Sequence, residues 1–62
     1  MKRVELTTTN FDPKALNGLE VGPVTLIGEA TWHEDSDEWR CLANWRGALV
    51  VVALQIRVKG AK

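Results

Sequence analysis

The stretch from Glu38 to Val58, EWRCLANWRGALVVVALQIRV, decides the fold. Every second residue from Trp39 to Trp45 is apolar, and β-branched residues are frequent from Ala48 onward, so both halves indicate strands. A two-residue turn at Arg46-Gly47 makes every cross-strand pair on one face apolar. The pairs are Trp45 with Ala48, Ala43 with Val50, Cys41 with Val52, and Trp39 with Leu54. We therefore predict a β-hairpin in this register.

A second hairpin is predicted immediately upstream. Residues Val24 to Glu34 alternate in the same way, and Asp35-Ser36 supplies a turn. Folding that turn tightly brings further apolar pairs together, namely Trp32 with Trp39, Ala30 with Cys41, Gly28 with Ala43, and Leu26 with Trp45. Because both hairpins place their apolar residues on one face, they support a single sheet.

The N-terminal third of the chain adds an edge strand and a connector. Lys2 to Thr8 alternates weakly, and we place it at a sheet edge beside the last strand. Residues 9–22 are rich in turn formers, and Asp12 to Gly18 has the capping pattern of a single helical turn. The C-terminal residues 60–62 are predicted to fray.

These elements predict a single small β domain over residues 1–62. The predicted fold class is all-β: a small antiparallel sheet of about four strands. It curls into an SH3-like half-barrel, or pairs into a two-layer sandwich formed by dimerisation. A chain this short has a marginal core. It contains one cysteine and one histidine, which excludes an internal disulfide and a Cys/His zinc site. Self-association is the remaining source of stability, so we predict a homo-oligomer.

Charge and hydropathy limit the class of protein. Eight basic residues balance eight acidic ones, whereas proteins built to hold nucleic acid usually carry a basic excess. The start, MKRVELTTT, lacks the apolar core of a signal peptide, and the longest apolar run is too short to span a membrane. With its single cysteine, the chain is expected in a reducing cytoplasm, without a membrane association.

The two faces of the predicted sheet differ in polarity. The face that carries all three tryptophans is expected to be the core. The opposite face should be polar, yet it holds an apolar group that we take as a candidate interface: Ile27, Leu42, Leu49, Val51 and Ala53. Either a partner covers this group, or the segment from Phe11 to Leu19 folds over it, or the sheet curls around it.

Candidate chemistry is sparse. The run from His33 to Glu38 holds four carboxylates, but it lacks the spacing of a calcium loop and is typical of a solvated hairpin tip. Its acidic groups are expected to be neutralised by Arg57 and Lys59. Cys41 and His33 fall on opposite faces, so they do not form a nucleophile and base. We predict no catalytic residue, no metal ligand and no cofactor.

The expected function is that of a non-enzymatic protein-interaction module that self-associates and binds an unidentified protein partner. A chain of this size and neutrality is compatible with a small regulator or inhibitor from a phage or another mobile element. The alternative is a small-barrel single-stranded nucleic-acid binder that uses Arg40, Trp45 and Arg46 for stacking and phosphate contacts.

Overall fold

Five β-strands and no helix make up residues 1–60, the part of the chain that the computed structural model describes. The fraying predicted for Ala61 and Lys62 lies outside those residues. The strands are β1 (Lys2–Thr8), β2 (Glu20–Val21), β3 (Val24–His33), β4 (Glu38–Trp45) and β5 (Ala48–Val58). They form one sheet in the order β1-β5-β4-β3-β2, and its edge strands β1 and β2 approach each other. The sheet is thus nearly closed into a barrel, which confirms the all-β prediction and agrees with a small SH3-like half-barrel.

The hairpin of β4 and β5 has the predicted register throughout, from Trp45 opposite Ala48 to Trp39 opposite Leu54. Its turn has two central residues, Arg46 at φ 54° and Gly47 at φ 82°. Two successive positive φ values define the turn that matches the right-handed twist of a hairpin. The Gly47 N–H also donates to the side-chain oxygen of Asn44 at 2.9 Å, which holds the turn closed.

The hairpin of β3 and β4 is confirmed at its tip, where Trp32 pairs with Trp39, but the predicted register is wrong farther from the tip. Leu26 pairs with Ala43 rather than with Trp45, and Val24 takes the place opposite Trp45. Two other predicted pairs are not register partners either, namely Ala30 with Cys41 and Gly28 with Ala43. The pairing shifts by two residues between Ile27 and Thr31. A shift of two keeps each side chain on its predicted face, because side chains alternate with period two.

Hydrogen bonds with the connector explain this register shift, which is a β-bulge in β3. Gly28 lies at φ 74°, and its N–H donates to the side-chain oxygen of Asn17 at 2.7 Å. The Ala30 N–H donates to the carbonyl of Pro13 at 2.9 Å. These two donors are therefore satisfied by the connector, and the strand bends where it takes up the extra residues.

The N-terminal strand lies beside the last strand, as predicted, but in the parallel direction: Lys2 pairs with Val52 and Thr8 with Val58. The sheet is thus mixed, whereas we expected antiparallel pairs. The short strand β2, which we did not predict, pairs with the start of β3. Alternation of apolar residues reads the same in both directions, so it carries no information on strand direction.

The connector forms turns rather than the predicted helical turn. The Asp12 carboxylate accepts the N–H of Lys14 at 3.0 Å, and further turns close at Ala15 and Leu19. Its Leu16 is buried to 4% exposure. The connector thereby closes over the inner face of the sheet, which is the face that points into the barrel.

The inner face is the core, as predicted for most of its residues. The buried cluster is formed by Val4, Leu6, Leu16, Val21, Val24, Leu26, Ala30, Cys41, Ala43, Val52 and Leu54. Trp39 and Trp45 are partly buried against it, but Trp32 is 47% exposed, so its assignment to the core was wrong. Trp32 lies at the open end of the barrel beyond the bulge, where little packs over it. Within residues 1–60, every buried side-chain nitrogen and oxygen atom has a hydrogen-bond partner.

Candidate functional site

An apolar patch lies on the outer face of the sheet, the face opposite the core. Its three exposed members are Leu42, Val51 and Leu49, with 39%, 48% and 69% of their surface accessible. The register places Leu42 directly opposite Val51 on the neighbouring strand. We call these three residues the outer-face patch. All three belong to the interface set predicted from the sequence.

The other two predicted interface residues are less accessible. Ile27 is half-buried beside the bulge, and Ala53 retains only 4% exposure. Ala53 lies between Arg3 on β1 and Arg40 on β4, which are its register partners. A methyl group between two long side chains has little surface left for a partner.

A groove of about 390 Å³ runs beside the outer-face patch. Leu42 and Val51 line it together with Met1, which is 69% exposed. Met1 was not predicted as a site residue, because its position depends on the parallel pairing of β1. Glu29 and Arg40 also line this groove, so its rim carries both signs of charge.

Three possibilities were left open for the covering of this face: a partner, the connector or the curl of the sheet. Within residues 1–60, neither the connector nor the curl of the sheet covers it. Leu16 belongs to the inner core cluster, and Phe11 packs against that cluster as well. The connector therefore lies on the inner face. The outer-face patch remains accessible to solvent in the isolated chain.

The acidic hairpin tip is partly neutralised, but not by the residues we expected. Arg40 donates from Nε to the Glu38 carboxylate at 2.8 Å and from Nη2 to the Ser36 hydroxyl at 3.0 Å. The Arg40 guanidinium holds the pKa of Glu38 below its ordinary value. Arg57 pairs instead with Glu5 on β1, so its predicted role at the tip was wrong. Among residues 1–60, no three His, Cys, Asp or Glu side chains are grouped as metal ligands.

The residues suggested for nucleic-acid contact are divided between two surfaces. Arg40 lies on the outer face and is paired with Glu38. Trp45 lies on the opposite face, five positions along the same strand. Its ring is approached by the Lys2 ammonium at 4.5 Å and by the Arg46 guanidinium at 5.0 Å. The structure thus brings Trp45 and Arg46 together, but not with Arg40.

A second groove, of about 480 Å³, lies at the open end of the barrel. Its walls include Phe11, Trp32 and Trp39, and we call it the aromatic groove. The centroid of the Trp39 ring lies 5.3 Å from that of Phe11 and 5.4 Å from that of Trp32, and both contacts are edge to face. Alternation along the chain does not predict this site, because Phe11 comes from the connector, far from the tryptophans in the chain.

Cys41 and His33 both border the groove beside the outer-face patch, but each has a different hydrogen-bond partner. Cys41 is 2% exposed, and its thiol lies 3.5 Å from the Ile27 carbonyl, to which it donates. The His33 ring contacts the hydroxyl of Thr31 at 3.2 Å. Burial raises the pKa of the Cys41 thiol.

Native Cys41 should therefore react slowly with iodoacetamide at neutral pH, at least ~10-fold more slowly than in urea, since the thiolate is the nucleophile and burial disfavours it. The chain has one cysteine, so mass spectrometry of the intact protein measures this rate directly. Equal rates in buffer and in urea would show that Cys41 is accessible.

Comparison of the chain with models of protein families, with curated proteins and with solved structures finds no match. The described residues include no helix that is long and apolar enough to cross a membrane. What the protein does is therefore inferred from its own surfaces.

Proposed function

We propose that this chain is a non-enzymatic protein-interaction module that associates with a second copy of itself through the outer-face patch. The observation that carries this proposal is the exposure of Leu42, Val51 and Leu49 side by side on one face of a regular sheet. Exposed apolar groups of this kind are typical of interfaces. The occupant is a second copy because a domain of this size commonly gains stability by oligomerisation.

The charges around the outer-face patch support association between identical copies. The formal net charge of the chain is zero, so two copies do not repel each other overall. In a two-fold dimer the same surface meets itself, and each residue of one copy faces a different residue of the other. Glu29 and Arg40 on the rim of the outer groove supply opposite charges for such a contact.

The area required is compatible with the size of the protein. A specific interface buries about 800 Å² on each partner. The accessible surface of the chain is 4399 Å², so an interface of that size would cover about a fifth of it. The outer side of β3, β4 and β5, with Met1 at its border, is the surface offered for this role.

Sedimentation equilibrium of the full chain at several protein concentrations tests the proposal. We expect the apparent mass to rise from that of the 6.9 kDa monomer to twice that value. The midpoint should lie at micromolar concentration, on the order of 8 kcal/mol of association free energy. A constant monomer mass up to millimolar protein would overturn the proposal.

A further inference from the structure

The aromatic groove combines an exposed aromatic surface with a carboxylate. Trp32 leaves 47% of its surface accessible, and its edge-to-face contact with Trp39 fixes its position. Asp37 lines the same groove, and so does the Ser36 hydroxyl. A fixed indole beside a carboxylate is a binding environment for a cation.

The charges at this end of the barrel also favour a positive ligand. Two carboxylates, Asp37 and Glu38, line the groove, and one cation, Arg3, lies among them. The positive charge of Arg3 helps to lower the pKa of Glu38, whose carboxylate also accepts a hydrogen bond from Arg40. Glu34 and Asp35 belong to the same turn and add two more negative charges to this end of the barrel. These four carboxylates outnumber the two arginines, Arg3 and Arg40.

We infer that the aromatic groove binds an arginine side chain of a partner polypeptide, with the guanidinium stacked on Trp32 and paired with Asp37. Arginine fits better than a compact ammonium, because its planar group stacks on aromatic faces and offers several donors to a carboxylate. The groove is open to solvent along the end of β5, where Ala53, Leu54, Gln55, Ile56 and Val58 line it. An open groove suits a side chain presented by an extended peptide rather than a small molecule, which would need a more enclosed cavity.

The same protein already uses this type of contact at the other end of β4. There the guanidinium of Arg46 lies 5.0 Å from the ring of Trp45, and Lys2 approaches the same ring. Both cation–π contacts found in residues 1–60 are at Trp45. The exposed part of the Trp32 ring is thus left for an external cation.

Titration of the full chain with a short capped peptide, Gly-Arg-Gly, tests the inference, and the indole N–H signals in NMR spectra report on it. The matched peptide contains citrulline, which has the shape of arginine without its charge. We expect saturable shifts at the Trp32 indole and much smaller ones at Trp45. The citrulline peptide should bind at least about fivefold more weakly, and a lysine peptide about threefold more weakly, than the arginine peptide.

Two substitutions measure separately how much aromatic stacking and the carboxylate charge contribute to binding of the arginine peptide. Trp32→Leu should weaken binding of the arginine peptide about fivefold, because it keeps an apolar side chain but removes the aromatic face. Asp37→Asn should weaken it about threefold. Asp37 lies at φ 57°, and asparagine tolerates that region as well as aspartate does, so the fold should persist.

The inference is overturned if citrulline or lysine binds as tightly as arginine, if Trp45 shifts as much as Trp32, or if both substitutions leave the affinity unchanged. It does not depend on self-association, since none of the three residues of the outer-face patch lines the aromatic groove. Leu42→Asp should therefore bind the arginine peptide as the unchanged protein does. A failure of one proposal is thus distinguishable from a failure of the other.

Discussion

Leu42→Asp should dissociate the dimer while leaving the β-barrel folded. In the dimer the aspartate of each copy would be buried against an apolar partner surface, and burial of an unpaired charge is costly. We expect the dimer dissociation constant to rise at least about a hundredfold, or ~2.7 kcal/mol. In the monomer the same side chain is 39% exposed, so the free energy of unfolding should fall by only about 1 kcal/mol.

Leu19→Asp is the matched control, because Leu19 is 41% exposed but lies in the connector rather than on the outer face. Sedimentation should find it dimeric. Val51→Asp, which changes the register partner of Leu42, should repeat the effect of Leu42→Asp. If both patch variants lose their far-ultraviolet β spectrum, or if both remain dimeric, the outer-face patch is not the interface between copies.

Leu26→Ala should leave the chain largely unfolded at room temperature. Leu26 is completely buried, and both of its backbone polar groups pair with the connector: its N–H donates to Leu19 at 2.8 Å and its carbonyl accepts from Gly18 at 2.8 Å. Truncation of a buried leucine costs about 2–5 kcal/mol. A core of this size supplies about 3–5 kcal/mol in total, so the loss removes most of the stability.

Urea unfolding followed by tryptophan fluorescence measures this effect. All variants are compared at one protein concentration, because the stability of a dimer depends on concentration. Leu19→Ala makes the same chemical change at a half-exposed position and should cost less than about 1 kcal/mol. Equal losses for the two variants would mean that burial of Leu26 does not stabilise the fold.

The alternation of apolar residues was sufficient to predict the β4–β5 hairpin. A one-residue slip would have turned Cys41 and Ala43 out of the core, and the two-residue turn at Arg46-Gly47 selected among the registers that alternation allows. The same alternation identified Leu42, Val51 and Leu49 as apolar residues on the face away from the core, and they are exposed. Register and facing are properties of neighbouring residues, which is why a pattern in the sequence could predict them.

The solvent accessibility of a side chain was harder to predict than the face of the sheet on which it lies. Ala53 was assigned to the exposed face, and Trp32 to the core, from alternation alone. Ala53 is covered because its neighbours on two other strands are arginines, and Trp32 is exposed because it lies at the open end of the barrel. The aromatic groove also depends on Phe11, which reaches Trp39 through the connector. Each outcome depends on residues far apart in the chain.

By itself, the sequence determined the β4–β5 hairpin with its register, the tip of the β3–β4 hairpin, and the place of the N-terminal strand at the edge beside β5. Tertiary structure decided the bulge at Gly28, the parallel direction of β1 and the closure of the inner face by the connector. The physical reason lies in the hydrogen bonds. Backbone donors at Gly28 and Ala30 find acceptors on Asn17 and Pro13, and those acceptors are in reach only once the chain has folded back on itself.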